Sequence, residues 1–227
     1  KIKKIIWDEK LTYRESLLIP RGDGFIIKLN PKKSQVRLRF SCAHEIGHTY
    51  FFDLNTRPPQ KFYSTSSSRY WVEEGYASEI AGEILLPEPY LSKTASKISK
   101  DPSLEALTQL RNDFNVSYEV LIKRLFRDSH LWNSNFWGNN LWDGIVITAE
   151  IKKTGTPQMK VYRSPKYRYK LKNITNNEKI KEVIHCALEN GIAKDDVIKI
   201  RKNRYRIQCR VSRKWPKMTI LIIYGET

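Results

Sequence analysis

His44 and His48 stand four residues apart, and Glu45 directly follows the first of them, in the run His44-Glu45-Ile46-Gly47-His48. On a helix, positions i and i+4 lie one turn apart on the same face, so two imidazoles at this spacing can converge on a single ion. Glu45 is one step round from His44, close enough to reach a water held by that ion. A zinc ion with three protein ligands keeps its fourth position for water. The ion lowers the pKa of that water toward about 7. A neighbouring carboxylate can then take its proton during attack on a carbonyl carbon and hand it to the departing amine. Residues of these types at this spacing point to peptide-bond hydrolysis, with Glu45 as general base.

A bare HExxH occurs by chance, but the flanks separate this one from a helix with two surface histidines. Phe40, Ala43, Ile46, Gly47, Tyr50, Phe51 and Phe52 make it a mostly buried helix. Two histidines, a Glu and a Gly inside an apolar helix are costly unless they serve a site. Gly47 also leaves room beside the histidines for another chain to approach.

A third ligand is needed. The other two histidines, His130 and His185, lie far along the chain. The helix that follows reads YWVEEGYASEIAGEILLPEP and offers Glu73, Glu74, Glu79 and Glu83. Glu74 shares a face with Ala77, Ala81 and Leu85, whose small members allow tight packing on the HExxH helix. Glu73 shares a face with Ala77 and Ile80, so periodicity alone leaves both open. Two neutral imidazoles and one carboxylate leave a net positive centre that still acidifies water. Zn2+ is the default ion for such a set, and Mn2+ or Fe2+ also suits nitrogen and oxygen donors. Tyr50, Tyr70 and Tyr76 all stand near enough in sequence to stabilise an oxyanion, and none is singled out.

The elements that must position these groups follow from pattern. GFIIKLN and QVRLRFS, within Asp23 to Phe40, read as two strands of a β-hairpin around the turn residues Asn30 to Ser34. The HExxH helix follows, then a Pro-, Ser- and Thr-rich surface loop from Asn55 to Ser68. A ligand helix runs from Tyr70 to Leu86, stopped by Pro87 and Pro89. Pro102 and Ser103 start a helix over Leu104 to Asp113, and Phe114-Asn115-Val116 turns the chain. Ser117 then caps a helix through Phe126. This is a helix-turn-helix-like segment, for which plain helical packing is an equal account. His130 to Trp142 is an aromatic connector with three tryptophans, read as docking onto a domain in preference to lining a peptide groove. From Gly144 the runs GIVITAEI, QMKVYR, DVIKIRK, YRIQCRV and MTILIIYG are strands, with a helix at Glu178 to Leu188. The expected organisation is a metallopeptidase domain over 1–100, a helical segment and connector over 101–142, and an α+β module over 143–227.

The stretch RLRFSCAHEIGHTYFF, followed by EGYASEIAGEILLPEPYL, resembles the ImmA/IrrE (M78-like) group of metallopeptidases. There an Arg-Phe pair, here Arg39-Phe40, precedes the Ala-His-Glu-(Ile/Leu)-Gly-His helix, here Ala43 to His48. A second helix carries Glu-x-x-Ala-Asn and ends in a Leu-Leu-Met-Pro-like tail, here Ile84-Leu85-Leu86-Pro87. The family's ligand Glu stands three residues before the Ala, so the resemblance assigns Glu74 over Glu73. Ser78 replaces the usual Asn, Ile80 the usual Phe and Leu86 the usual Met, changes read as packing adjustments. The resemblance covers Asp23 to Leu131 and implies a zincin-like α+β peptidase. Members cleave a helix-turn-helix repressor and so switch on stress, DNA-damage or mobile-element genes. In some relatives a GAF-like sensor follows the peptidase, and the C-terminal strand–helix–strand pattern permits one.

The totals bound the alternatives. The 227 residues suffice for a core without staples, and 40% hydrophobic content is ordinary for a globular chain. Three cysteines without a CxxC pair make neither a disulfide framework nor a cysteine zinc cluster. The apolar run Thr219 to Tyr224 is too short to span a bilayer, and KIKKIIWDEK turns charged too soon for a signal peptide. The expectation is a soluble, cytoplasmic protein without a membrane partner. Net charge is +17. Residues 143–227 carry 20 Lys and Arg against 8 Asp and Glu, and the other 142 residues carry 21 against 16. The basic C-terminal module therefore suits nucleic acid or an acidic partner, or is a solvated face. A DNA-binding regulator with a structural metal site is the competing reading, and a sensor module gating the peptidase is an extension of the first.

Overall fold

The computed structural model of the chain describes residues 1–62, 67–98, 103–126, 142–151, 157–164, 167, 174–190, 194–200, 203–211 and 218–225. They form two compact units, Lys1–Leu91 with Arg111–Leu121, and Ser92–Leu110 with Ile122–Thr227. The architecture is α+β, with six helices among the described residues. None of these helices is long and apolar enough to cross a membrane.

The first unit is built on a three-stranded sheet of order β1-β3-β2, from β1 (Ile2–Trp7), β2 (Ser16–Arg21) and β3 (Gly24–Leu29). β2 and β3 form a hairpin closed by Gly22 and Asp23, and Gly22 takes φ 62, the left-handed conformation such a turn requires at its first central position. β1 then pairs parallel to β3. Asn30 N–H donates to Glu15 C=O at 2.9 Å, and this register alternates along the hairpin. The main-chain polar groups of Ser16 and Leu18 and the carbonyl of Pro20 therefore point to the outer edge, where proline's missing N–H leaves no gap in the pairing. Buried Asn30 pins the entry to β2 by donating to the carbonyls of Leu11 and Arg14.

QVRLRFS is not a strand. Residues Gln35–His48 form helix α1, so the hairpin lies one element earlier than the pattern implies. Ser34 is the cap, its side chain accepting from Arg37 N–H. Val36, Leu38 and Phe40 alternate as a strand would, yet the cap and the following turns commit them to a helix. α1 lies on the sheet face that carries Phe25, Ile27 and Leu29, all buried. After α1 come β4 (Phe52–Asp53) and β5 (Gln60–Lys61), a short antiparallel pair, then helix α2 (Ser67–Leu85) and helix α3 (Glu88–Ile98). Pro87 ends α2 as expected, but Pro89 sits in the first turn of α3, where its missing N–H costs nothing.

α4 (Leu104–Phe114) and α5 (Tyr118–Phe126) fall where the sequence places them, with Ser117 Oγ accepting from Val120 N–H at 3.2 Å. Asn115 takes φ 50 at the end of α4. Arg39 donates to the carbonyls of Phe114 and Asn115 at 2.9 and 2.7 Å, capping that helix end.

The second unit holds an antiparallel sheet of order β7-β6-β10-β9-β8, from β6 (Ile145–Ile151), β7 (Pro157–Arg163), β8 (Lys194–Ile200), β9 (Asn203–Val211) and β10 (Met218–Gly225). Helix α6 (Glu178–Asn190) buries Ile180, Val183, Ile184 and Ala187 on Ile145 and Ile147 of β6 and Tyr205, Ile207 and Cys209 of β9. The helical residues repeat at three and four, the strand residues at two, as one shared core requires. The start of α4 docks on β9, where Leu104 N–H donates to Gln208 Oε1 and Arg210 donates to Thr108 Oγ1. Of the aromatic connector only Trp142 is described, buried edge-on against Phe126. His130 and the other connector residues lie outside the described residues.

Candidate metal centre

The site forms where α1 crosses α2, and their separation is set by two side chains that are nearly absent. A Cβ on Gly47 would lie 2.7 Å from the Ala77 carbonyl oxygen and 2.9 Å from its Cα. Ala77 and Ala81 are fully buried. This close approach brings α2 carboxylates to the α1 histidines.

His44 Nε2 and His48 Nε2 are 3.0 Å apart. Glu74 Oε2 lies 3.1 Å from the first and Glu74 Oε1 3.4 Å from the second. Ligand atoms of the three residues all fall within 4.8 Å of one another, the grouping of His, Cys, Asp and Glu among the described residues that could hold an ion. Donors sharing a tetrahedral zinc at about 2.0–2.1 Å stand about 3.3 Å apart, so the spacing suits that ion.

The outer atoms explain why a cation fits. His48 Nδ1 is 2.7 Å from Glu73 Oε1. A carboxylate there accepts from Nδ1–H, and in the neutral imidazole that tautomer leaves Nε2 with the lone pair a metal takes. His44 Nδ1 has Ser78 Oγ at 3.3 Å as a partner. Burial, and then the neighbouring His48, hold the His44 imidazole below its ordinary pKa, which favours the neutral form a metal needs. Two imidazole nitrogens and a carboxylate thus converge with almost no hydrogen to share, an arrangement a divalent cation satisfies. The His2Glu set fits a divalent metal, with zinc the usual choice.

Glu45 lies one step round α1 from His44 and lines the same cavity. It is buried, and Ser16 Oγ donates to its Oε1 at 2.7 Å. Next to it, Ser41 Oγ donates to Glu15 Oε2 at 3.1 Å, fastening the start of β2 to α1. A cavity of about 550 Å³ opens over these groups, lined by His44, Glu45, His48 and Glu74 together with Ser16 to Leu18 of β2. Phe40 also lines it, its ring 6.1 Å from that of His44. The Arg-Phe pair therefore has two jobs: Arg39 caps α4 and Phe40 walls the site.

Of the three tyrosines, Tyr70 lines the cavity. The Glu74 charge, then burial and a hydrogen bond to Glu74, push its phenol above the ordinary value, so it remains a donor. Tyr50 is largely exposed and Tyr76 packs near the Phe51 ring. His185 is exposed on α6 in the second unit. Glu79 and Glu83 are not in the cluster.

The sequence pattern assigns no role to Lys61 or Ser16, leaves Glu73 as a rival ligand and makes Ser78 a packing change. Glu73 instead takes the far nitrogen of His48, and Ser78 meets that of His44. The one available signal was the Glu73-Glu74 pair itself: neighbours on a helix differ by about 100°, enough to reach two sides of one imidazole.

No curated protein matches the chain. The profile of the IrrE N-terminal-like domain, Peptidase_M78, matches residues 10–126, just over half of the length and the whole of the α1–α2 site. The chain belongs to the Peptidase_M78 family.

Proposed function

We propose that this protein is a zinc-dependent endopeptidase that makes a site-specific cut in a partner protein, a helix-turn-helix transcriptional repressor, and so induces stress, DNA-damage or mobile-element genes. The observation that carries the peptidase reading is the convergence of His44, His48 and Glu74 at the floor of a cavity that Glu45 also enters. In this reading the first three hold the metal and Glu45 is the base. A bound zinc ion supplies Lewis acidity, acidifying water and polarising a carbonyl oxygen. Glu45, with one oxygen fixed by Ser16, takes the proton of the attacking water and delivers it to the leaving amine. Tyr70 offers its O–H to the charge that builds on the carbonyl oxygen.

The outer edge of β2 supports an extended polypeptide as substrate. Ser16 and Leu18 turn main-chain donors and acceptors toward the cavity side of the sheet, and no described strand pairs there. A peptide segment can add to that edge and present its backbone to the site. The repressor as partner rests on the family resemblance.

The competing reading, a DNA-binding regulator with a structural metal, draws on the α4–α5 turn and the basic C-terminal part. Structural zinc sites usually have four protein ligands, and the cluster here has three among the described residues. We therefore favour the enzyme. The sheet and helix of residues 143–227 support a sensory, GAF-like or nucleic-acid-binding role that gates the cut.

The test is incubation of the zinc-loaded chain with helix-turn-helix repressors encoded in the same genome, read by intact mass. One discrete cut by the wild type is the expected result. Glu45→Gln should keep zinc and lose cleavage, and His44→Ala should lose zinc. A Glu45→Gln protein that still cuts at the wild-type rate removes Glu45 from its role.

A further inference from the structure

We propose that Lys61, acting through Glu73, is a positioning residue for the metal centre, so that the β4–β5 hairpin sets how tightly the ion is held. The inference rests on the zinc reading above. It begins with Glu73, which is 1% exposed. A buried carboxylate without compensation is costly. Two partners compensate it: His48 Nδ1 at 2.7 Å from Oε1, and Lys61 Nζ at 2.8 Å from Oε1 and 3.0 Å from Oε2. The ammonium spans both oxygens, so the carboxylate plane is fixed, and with it the imidazole that donates to it.

Lys61 is itself held in place. It pairs across the hairpin with Phe52, and its Nζ lies 5.7 Å from the Phe52 ring centre. Phe52 is buried and packs edge-on against Phe25 of β3 at 5.1 Å. Phe62 N–H donates to the Phe51 carbonyl, extending the hairpin. A line of contacts thus runs from the sheet core through Phe52 and Lys61 to Glu73 and His48. Lys61 also holds the Glu73 carboxylate beside His48 Nδ1, outside the group formed by His44, His48 and Glu74.

Partners that orient metal-bound histidines typically contribute 10–100-fold in metal affinity. Zinc affinity of the full-length chain is measured by competition with a chromophoric chelator, and Co2+ absorption reports coordination geometry. Circular dichroism and unfolding curves show which variants are folded. Lys61→Met and Glu73→Gln should each weaken zinc about 10–100-fold while remaining folded, and Lys61→Arg should restore most of the affinity by bridging the same carboxylate. The double variant should be no weaker than Glu73→Gln alone, because Lys61 acts through that residue. A wild type that binds no zinc overturns the metal reading itself. Tight zinc in the wild type with unchanged affinity in Lys61→Met and Glu73→Gln overturns only the positioning role. Losses that add in the double variant also overturn it, since Lys61 would then act independently of Glu73.

Discussion

Gly47 of α1 rests against the backbone of Ala77 on α2, so closely that a methyl group has no place between them. The obstacle is main chain and cannot swing aside as a side chain would. Gly47→Ala should push the helices apart, cost about 1–3 kcal/mol of stability, and weaken zinc binding, because Glu74 moves with α2. Urea unfolding and chelator competition on the same preparation check both effects. Full zinc affinity with normal stability would show that the two helices can separate without harm to the site.

Ser16 ties Glu45, the proposed base, to the strand that lines the cavity. Removing a hydrogen bond to a charged group typically costs about 1.5–3 kcal/mol, and part of that falls on the geometry of Glu45. Ser16→Ala should lower kcat/KM about tenfold or more and leave zinc stoichiometry at one. Steady-state cleavage of the identified substrate, with metal analysis alongside, is the measurement.

Tyr70 is the cavity tyrosine that keeps its proton. Losing one donor to a developing oxyanion costs on the order of a hundredfold in kcat. Tyr70→Phe should show such a loss with KM and zinc affinity close to wild type. An unchanged kcat would remove Tyr70 from the chemistry.

Arg39 caps α4 from α1, so its replacement tests fold without touching the metal. Arg39→Met leaves the Phe114 and Asn115 carbonyls short of a charged donor and should destabilise the chain by about 1–3 kcal/mol. In the protein that remains folded, zinc affinity should be that of the wild type.

Cys209 lies at the centre of the second unit, fully buried, and burial pushes its thiol up to about 12. Alkylation requires the thiolate. At pH 8, iodoacetamide should spare Cys209 in the native chain and modify it once the unit is unfolded, as peptide mapping would show. Half-buried Cys42, whose thiol is raised by burial and by Glu45, should react slowly but measurably.

Much of the site was legible because its chemistry is local. His44, Glu45 and His48 lie within five residues, and one helical turn is enough to place them together. Glu74 was harder: α2 presents two adjacent carboxylates to the same helix, and their different partners depend on which side of His48 each one passes. Periodicity has no resolution for that. Lys61 and Ser16 come from separate elements, so only the tertiary fold joins them to the centre. The C-terminal strands are legible because apolar residues alternate with polar ones, as in buried Tyr205, Ile207 and Cys209. QVRLRFS reads as a strand because alternation over seven residues suits both a strand and the exposed start of a helix, and Ser34, a turn residue by type, caps α1. β2 carries Leu17, Leu18 and Ile19 in sequence, a run without alternation that gave no strand signal.

Pro20 has a consequence beyond tolerating its own pairing. An open strand edge invites any passing strand, including the same edge of another copy, and unchecked zippering of that kind leads to aggregation. With no N–H to offer at its third outward position, β2 can accept only a short stretch of visiting backbone before the ladder fails. In the proposed reading the proline is a gatekeeper: it leaves room for a brief, reversible guest at Ser16 and Leu18 and works against a long self-association.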